Sequence, residues 1–188
     1  MHQSITRVLW AVGAFFIATP SFAASYAFSS GNGSISFHNK ASLHEFDGVA
    51  QNFSGTLDTV AGTGSMTVQA ASLTTKLGPR DSKMHNFCLE SSTYGTITFQ
   101  VSSIGGDTAG LQSGQGSGSV TLNGTLTIRS VPQAVSISAN YTHSEGALRL
   151  KGAHAMKWGD YGVPDPSILI SKLYPDMTVR FNVNMTAQ

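Results

Sequence analysis

The sequence predicts an all-β protein, an antiparallel β-barrel of about eight strands with one short helix, and three observations carry that expectation. Composition is the first: only 11% of the 188 residues are charged, while 20 glycines, 25 serines and 18 threonines make up about a third of the chain. A soluble domain ordinarily carries about 25% charged residues. The missing Glu, Lys and Arg are those that favour exposed helix surfaces, whereas Thr suits strands. Period-two alternation of apolar and polar residues is the second, and it runs from residue 33 almost to the C-terminus. The third is the punctuation between runs, short and rich in Gly and Asn, as hairpin connections are. With 40% apolar residues the chain can bury a core. Its formal net charge of +1 gives no long-range pull towards nucleic acid or an anionic membrane surface.

Residues 1–23 have the form of a secretory signal. Arg7 is followed by an apolar stretch from Val8 to Ile17, then Pro20 and the small-residue site Ser21-Phe22-Ala23. Cleavage after Ala23 would leave residues 24–188 as one exported barrel domain. The rival reading, a retained anchor, needs ~20 apolar residues, so no stable membrane insertion is expected. Removing Arg7 leaves ten basic and ten acidic residues. Cys88 is the only cysteine, which excludes an internal disulfide. A reactive thiol and a buried small apolar residue are its two readings, and the second is the ordinary one. Without a Cys-x-x-Cys or Cys-x-x-Cys-His motif, thioredoxin-like chemistry and covalent c-type haem attachment are excluded.

Along the chain, Ile35 and Phe37 share one face of a first strand, and Met66, Val68 and Ala70 one face of another. Ile97, Phe99 and Val101 alternate with Thr98 and Gln100, and Val120, Leu122, Leu126 and Ile128 with Thr121, Thr125 and Thr127. Val135, Ile137, Ala139 and Tyr141 follow, then Leu148, Leu150, His154 and Met156, and last Val179, Phe181, Val183 and Met185. Such strands suit an antiparallel sheet with one wet and one covered side. Ser144-Glu145-Gly146 is a hairpin-sized gap, and Pro132 marks a strand end or edge. Gly105 to Gly118 is expected as a long mobile loop. Met84, Phe87 and Cys88, at spacings of three and four, point to a short helix near residues 80 to 90. A turn around Ser167 to Leu173 is the other helix candidate.

Converging apolar faces leave two interiors open. About eight strands enclose either packed side chains or one small ligand, and the inward set mixes Phe, Met, Leu and Ile with small residues such as Ala139 and Gly152.

Several segments resemble the YceI-like family of secreted lipid-binding barrels, also called polyisoprenoid-binding proteins. Ser34-Ile35-Ser36-Phe37 is similar to its opening strand, and Phe46-Asp47-Gly48 with Asn52-Phe53-Ser54-Gly55-Thr56 to its paired aromatic and glycine motifs. Ala71-Ser72-Leu73-Thr74-Thr75 with Arg80-Asp81, and Asn86-Phe87 with Thr96-Ile97-Thr98-Phe99, resemble its next two segments. Gly124-Thr125-Leu126-Thr127-Ile128-Arg129 and Gly159-Asp160-Tyr161-Gly162-Val163 resemble its later ones. Ser130 departs from the family's usual Gly, Thr93-Tyr94-Gly95 from its Tyr-Pro, and Cys88 from a common aromatic. The resemblance covers roughly residues 33 to 186. It implies a lipocalin-like barrel that holds a long-chain isoprenoid, an isoprenoid quinone or another lipid, for transport, storage or sequestration. The inward positions become the expected lining: Ile35, Phe37, Phe53, Met66, Val68, Phe99, Leu122 and Ile128 from the first half. Ile137, Tyr141, Leu150, His154, Met156, Phe181 and Val183 complete it.

His154 stands out because it falls in phase with Leu148, Leu150 and Met156. An inward imidazole can hydrogen-bond a quinone oxygen or a headgroup, or ligate haem; a neighbouring hydroxyl or exposure at the mouth would equally account for it. His44, His85 and His143 are expected in loop or helix segments, and no His spacing gives a metal site. Asp81 is expected to cap the helix or to pair with Arg80 or Arg129. No Gly-x-Ser-x-Gly elbow or other catalytic constellation is present, so binding rather than enzymatic activity is expected. Two other classes remain: a haem- or quinone-linked redox accessory without a resident cofactor, and a filled-core stress or adhesion protein. A monomer or homodimer suits each.

Overall fold

The computed structural model describes residues 25–167 and 171–188. The expected signal segment and its cleavage site lie outside the described residues. Eleven strands form one sheet: β1 Ser25–Ser29, β2 Gly33–Ala41, β3 Glu45–Ala50, β4 Phe53–Asp58, β5 Thr63–Gln69 and β6 Leu73–Thr74 in the first part. Then come β7 Thr96–Gly106, β8 Gly116–Ile128, β9 Val131–Ser144, β10 Ala147–Lys157 and β11 Leu173–Ala187. Every pairing is antiparallel, and the contact of β1 with β11 closes the sheet into a barrel.

Eleven strands occupy eight positions in this wall. β11 pairs with β2 along Leu173–Val183 and with β1 at its C-terminal end. Next round, β3 pairs with β2 and β4 with β1. β6 then continues on β3 and β5 on β4. Three positions are thus filled by strands that break and resume, at residues 30–32, at Gln51-Asn52 and at the 3₁₀ turn Ala70–Ser72. Backbone bonds hold the breaks, among them Ser30 N–H to Phe53 O and Gln69 N–H to Asn52 O, at 2.9 and 3.0 Å. A β-bulge between Val101 and Ser103 on β7 restores the inward phase, so that Ile104 meets Leu122.

Two hairpins are tight two-residue turns. Glu145 and Gly146 lie at φ 52° and 77°, and Arg129 and Ser130 at 50° and 62°, the left-handed pair a type I′ turn requires. Gly is the residue that takes this conformation freely, so Ser130 marks a place where the chain accepts a small strain.

The helix expected near residues 80 to 90 is α1, Gly78–Lys83, running on into a π turn over Met84–Cys88. Three expectations are corrected. Residues 105–118 are not a long loop: β7 and β8 extend into that stretch, and a second helix, α2 Ala109–Ser113, plugs one end of the barrel with Leu111 fully buried. Outward serines such as Ser117 and Ser119, with glycines at Gly106, Gly116 and Gly118 in the inward phase, had mimicked loop composition. Leu173 opens β11 rather than a helical turn, and residues 168–170 of that candidate lie outside the described residues. His143 belongs to β9, in phase with Tyr141 and Ala139, and is 1% exposed.

Candidate functional site

The inward faces do not meet. They enclose a cavity of about 580 Å³, within the 300–1,000 Å³ of small-molecule sites. Thirteen of the fifteen expected lining residues stand on its wall: Ile35 and Phe37 from β2, Met66 and Val68 from β5, Phe99 from β7, Leu122 and Ile128 from β8. Ile137 from β9, Leu150, His154 and Met156 from β10, and Phe181 and Val183 from β11 complete that set. Phe53 and Tyr141 stand off the wall. Phe53 is buried behind Phe28, with ring centroids 6.3 Å apart, and Phe28 takes the place at the cavity. Tyr141 belongs to the plugged end, its hydroxyl 2.8 Å from where a side chain on Gly110 of α2 would begin.

Glycines opposite aromatics keep the lumen wide. Phe37 pairs across strands with Gly48, Phe28 with Gly55 and Phe181 with Gly152. A Cβ on Gly48 would lie 2.1 Å from the Phe37 ring, one on Gly55 2.5 Å from Phe28, and one on Gly152 2.6 Å from Phe181. The rings therefore lie flat over bare backbone instead of projecting into the cavity.

At the plugged end, His143 Nε2 and the Tyr26 hydroxyl are 2.7 Å apart, and His143 Nδ1 is 3.0 Å from Leu111 O. A carbonyl can only accept, so Nδ1 carries the proton and Nε2 accepts from Tyr26. The Tyr26 and His143 rings meet edge to face at 4.9 Å. The strand polarity places the opposite end of the barrel, the mouth, at the β2–β3 hairpin, α1 with its π turn, and residues 158–167 and 171–173.

Most polar side chains of the lining gather at this mouth, and no carboxylate is among the described lining residues. Asn39, 5% exposed, uses its Oδ1 to accept from Lys40 N–H at 2.6 Å, and its amide nitrogen has no hydrogen-bond partner among the described residues. The Arg80 guanidinium lies 4.0 Å above the Phe46 ring and donates from Nε to Thr75 Oγ1 at 2.7 Å. Lys83 donates to Pro166 O. Sequence reading passed over Asn39, although it lies in phase with Ile35 and Phe37. Trp158 and Lys83 follow no alternation and gave no signal, and Arg80 entered only through the family resemblance and as a possible partner of Asp81.

His154 has no hydrogen-bond partner among the described residues, and burial pulls its pKa below the usual histidine value, favouring the neutral ring. Burial likewise raises the Cys88 thiol, and Cys88 lines the cavity as a protonated apolar residue. Asp81 neither caps α1 nor pairs with Arg80 or Arg129; it accepts from Thr74 Oγ1, Thr75 N–H and Thr75 Oγ1, tying the start of α1 to β6. Burial pushes its carboxyl up, but those bonds and His85 hold it below the usual range. Arg129 instead pairs with Glu90 at 2.6 Å, fastening the β8–β9 turn to the segment after the π turn.

A family model described as the YceI-like domain matches residues 26–185. No curated protein matches the chain. Among solved structures, a polyisoprenoid binding domain from Saccharophagus degradans implicated in plant cell wall breakdown superposes with a TM-score of 0.73 at 17% identity, covering 88% of this chain and 99% of that one. Burkholderia cenocepacia BcnA gives 0.71 at 16% identity, covering 84% and 98%. A Campylobacter jejuni YceI protein gives 0.62 at 16% identity, covering 75% and 84%. At such identities the likeness is one of fold.

Proposed function

The chain belongs to the YceI-like domain family, and from that premise we propose that it is an exported protein that holds one long apolar amphiphile in its barrel, for transport, storage or sequestration. Residues 1–23 support the export, and a periplasmic or secreted location follows from it. The observation that carries the reading is the cavity itself: about 580 Å³, mostly apolar along its depth, plugged at one end and with most of its polar side chains at the mouth. A polyisoprenoid or isoprenoid quinone suits that shape. Its tail would fill the lumen at ~0.8 kcal/mol per CH₂ removed from water, and the unpartnered groups of His154 and Asn39 would meet its oxygens. One similar structure is named for polyisoprenoid binding, which supports the same class.

Mass spectrometry of organic extracts from the purified protein tests this. A single co-purifying long-chain amphiphile, or stoichiometric uptake of added polyprenol or quinone, is the expected result. Repeated absence of lipid together with no uptake would sink the proposal.

A further inference from the structure

Among the described residues, exposed large hydrophobic side chains are not spread evenly over the surface. Leu43 is 70% exposed, Leu77 51%, Phe87 47% and Tyr174 39%, and all four stand on the segments that frame the mouth; Val60, on the β4–β5 turn, is the exception. Hydrogen bonds knit those segments into one rim. Ser42 N–H donates to Lys172 O and Lys172 N–H to Ser42 Oγ, at 2.8 and 3.1 Å, which sets Leu43 beside the start of β11 and Tyr174. Trp158 Nε1 donates to Tyr174 O at 3.0 Å. On the other side Lys83 joins α1 to Pro166, with its ammonium 5.8 Å from the Phe87 ring.

Scattered exposed leucines are ordinary, but a set gathered round the opening of an apolar cavity is not. Cations accompany it: Lys76, Arg80, Lys83 and Lys172 have no carboxylate within 4.0 Å among the described residues. Most acids of this end are hydrogen-bonded or paired elsewhere, Glu45 with Lys40, Asp47 with His38, Glu90 with Arg129, Asp81 with Thr74 and Thr75, and Asp165 with Ser167; the carboxylates of Asp160 and Asp176 have no such partner among the described residues.

We propose that this rim is a docking surface for a lipid bilayer, and that the barrel loads and unloads with its mouth against the membrane. The inference rests on the lipid-holding reading, because a water-insoluble ligand resides in a bilayer and must pass from there into the lumen. Leucine, phenylalanine and tyrosine flanked by lysines are side chains suited to the headgroup boundary. The contact is reversible: four apolar side chains sink to the interface, and no helix among the described residues is long and apolar enough to cross. It is also local. The balanced net charge supplies no attraction at a distance, so the rim acts through apolar burial, with its lysines meeting phosphate groups at contact.

Sedimentation with vesicles of phosphatidylcholine and phosphatidylglycerol, 3:1, tests the surface, using the full chain and the double variant Leu43→Ser, Phe87→Ser. Neither residue lines the cavity, and exposed positions of this kind seldom affect folding. Bound fraction is expected to fall at least fivefold in the variant, and quinone uptake from vesicles to slow, while uptake from detergent solution is retained. Equal vesicle binding by both proteins, or none by either, overturns the proposal. A concentration-dependent dimer that the variant abolishes would assign the rim to a second copy and overturn it as well. Vesicle binding that depends on Leu43 and Phe87, without uptake of any lipid, would sustain the docking surface and sink the lipid-holding reading.

Discussion

Two histidines point into the same barrel from neighbouring strands, and the two ends of the molecule treat them oppositely. His143, at the plugged end, has a partner on each ring nitrogen and lies among Tyr26, Leu111 and Leu148, all at most 1% exposed. His154, near the mouth, is in the same inward phase but faces the lumen with both nitrogens unpartnered among the described residues. A buried polar group without a partner costs about 1–3 kcal/mol. The plugged end therefore satisfies its histidine and is built to stay shut, although the Tyr141 hydroxyl there is buried without a hydrogen-bond partner, while the mouth leaves His154 for whatever enters. Inward phase alone does not mark a binding residue; the partners do.

The contrast breaks first at Leu111. Leu111→Ala empties a fully buried site beneath α2, and chemical denaturation should show a loss of about 2–5 kcal/mol. Leu77→Ala at the rim, where 51% of the residue is exposed, should stay within about 0.5 kcal/mol. Comparable losses from the two would mean that the plug is no more consolidated than the mouth.

Much of this was legible in the sequence. Alternation picked out thirteen residues that stand on the cavity wall, because a period of two is fixed by the pleat whichever strand a segment pairs with. What depended on register was not legible. The break of one wall position into β1 and β2 hid a strand of five residues, and the glycine seats under Phe28, Phe37 and Phe181 exist only once strands are paired. Those seats decide between a filled and an open interior, which is why composition left both possible. The plugged end was missed for a related reason: α2 is a single turn and a half, and its one apolar anchor, Leu111, has no periodic companion.

Gly48→Ala sharpens the comparison from the mouth side. The new methyl would fall on the Phe37 ring, which must swing off its seat into the lumen at a cost of about 1–3 kcal/mol. Uptake of a long-chain quinone should drop about tenfold or more, and Phe37→Leu in the same chain should recover most of it. Recovery distinguishes a blocked lumen from a damaged wall. Unchanged uptake in Gly48→Ala would show that the width of this cavity is not set by the paired glycine.

The smallest effect is also the most direct reading of how the two ends differ. Burial holds the folded-state pKa of His154 below its ordinary 6.5, so an unfolded chain takes up a proton at this residue before the folded one does. The stability tied to the neutral ring is thus complete above pH 6.5 and is lost as the pH falls through the lower folded value. Between pH 7.5 and 5, denaturation of the native protein should show a greater loss than His154→Gln, which cannot titrate, while other groups cancel in the difference. An apolar tail that excludes water from the ring follows the same sign and should deepen the acid loss, whereas a ligand oxygen accepting from the ring favours its charged form and should reduce that loss. Equal losses in the two proteins would mean that His154 is hydrated like a surface residue. The lumen would then be wet to that depth, and the apolar tail would have to sit nearer the plug.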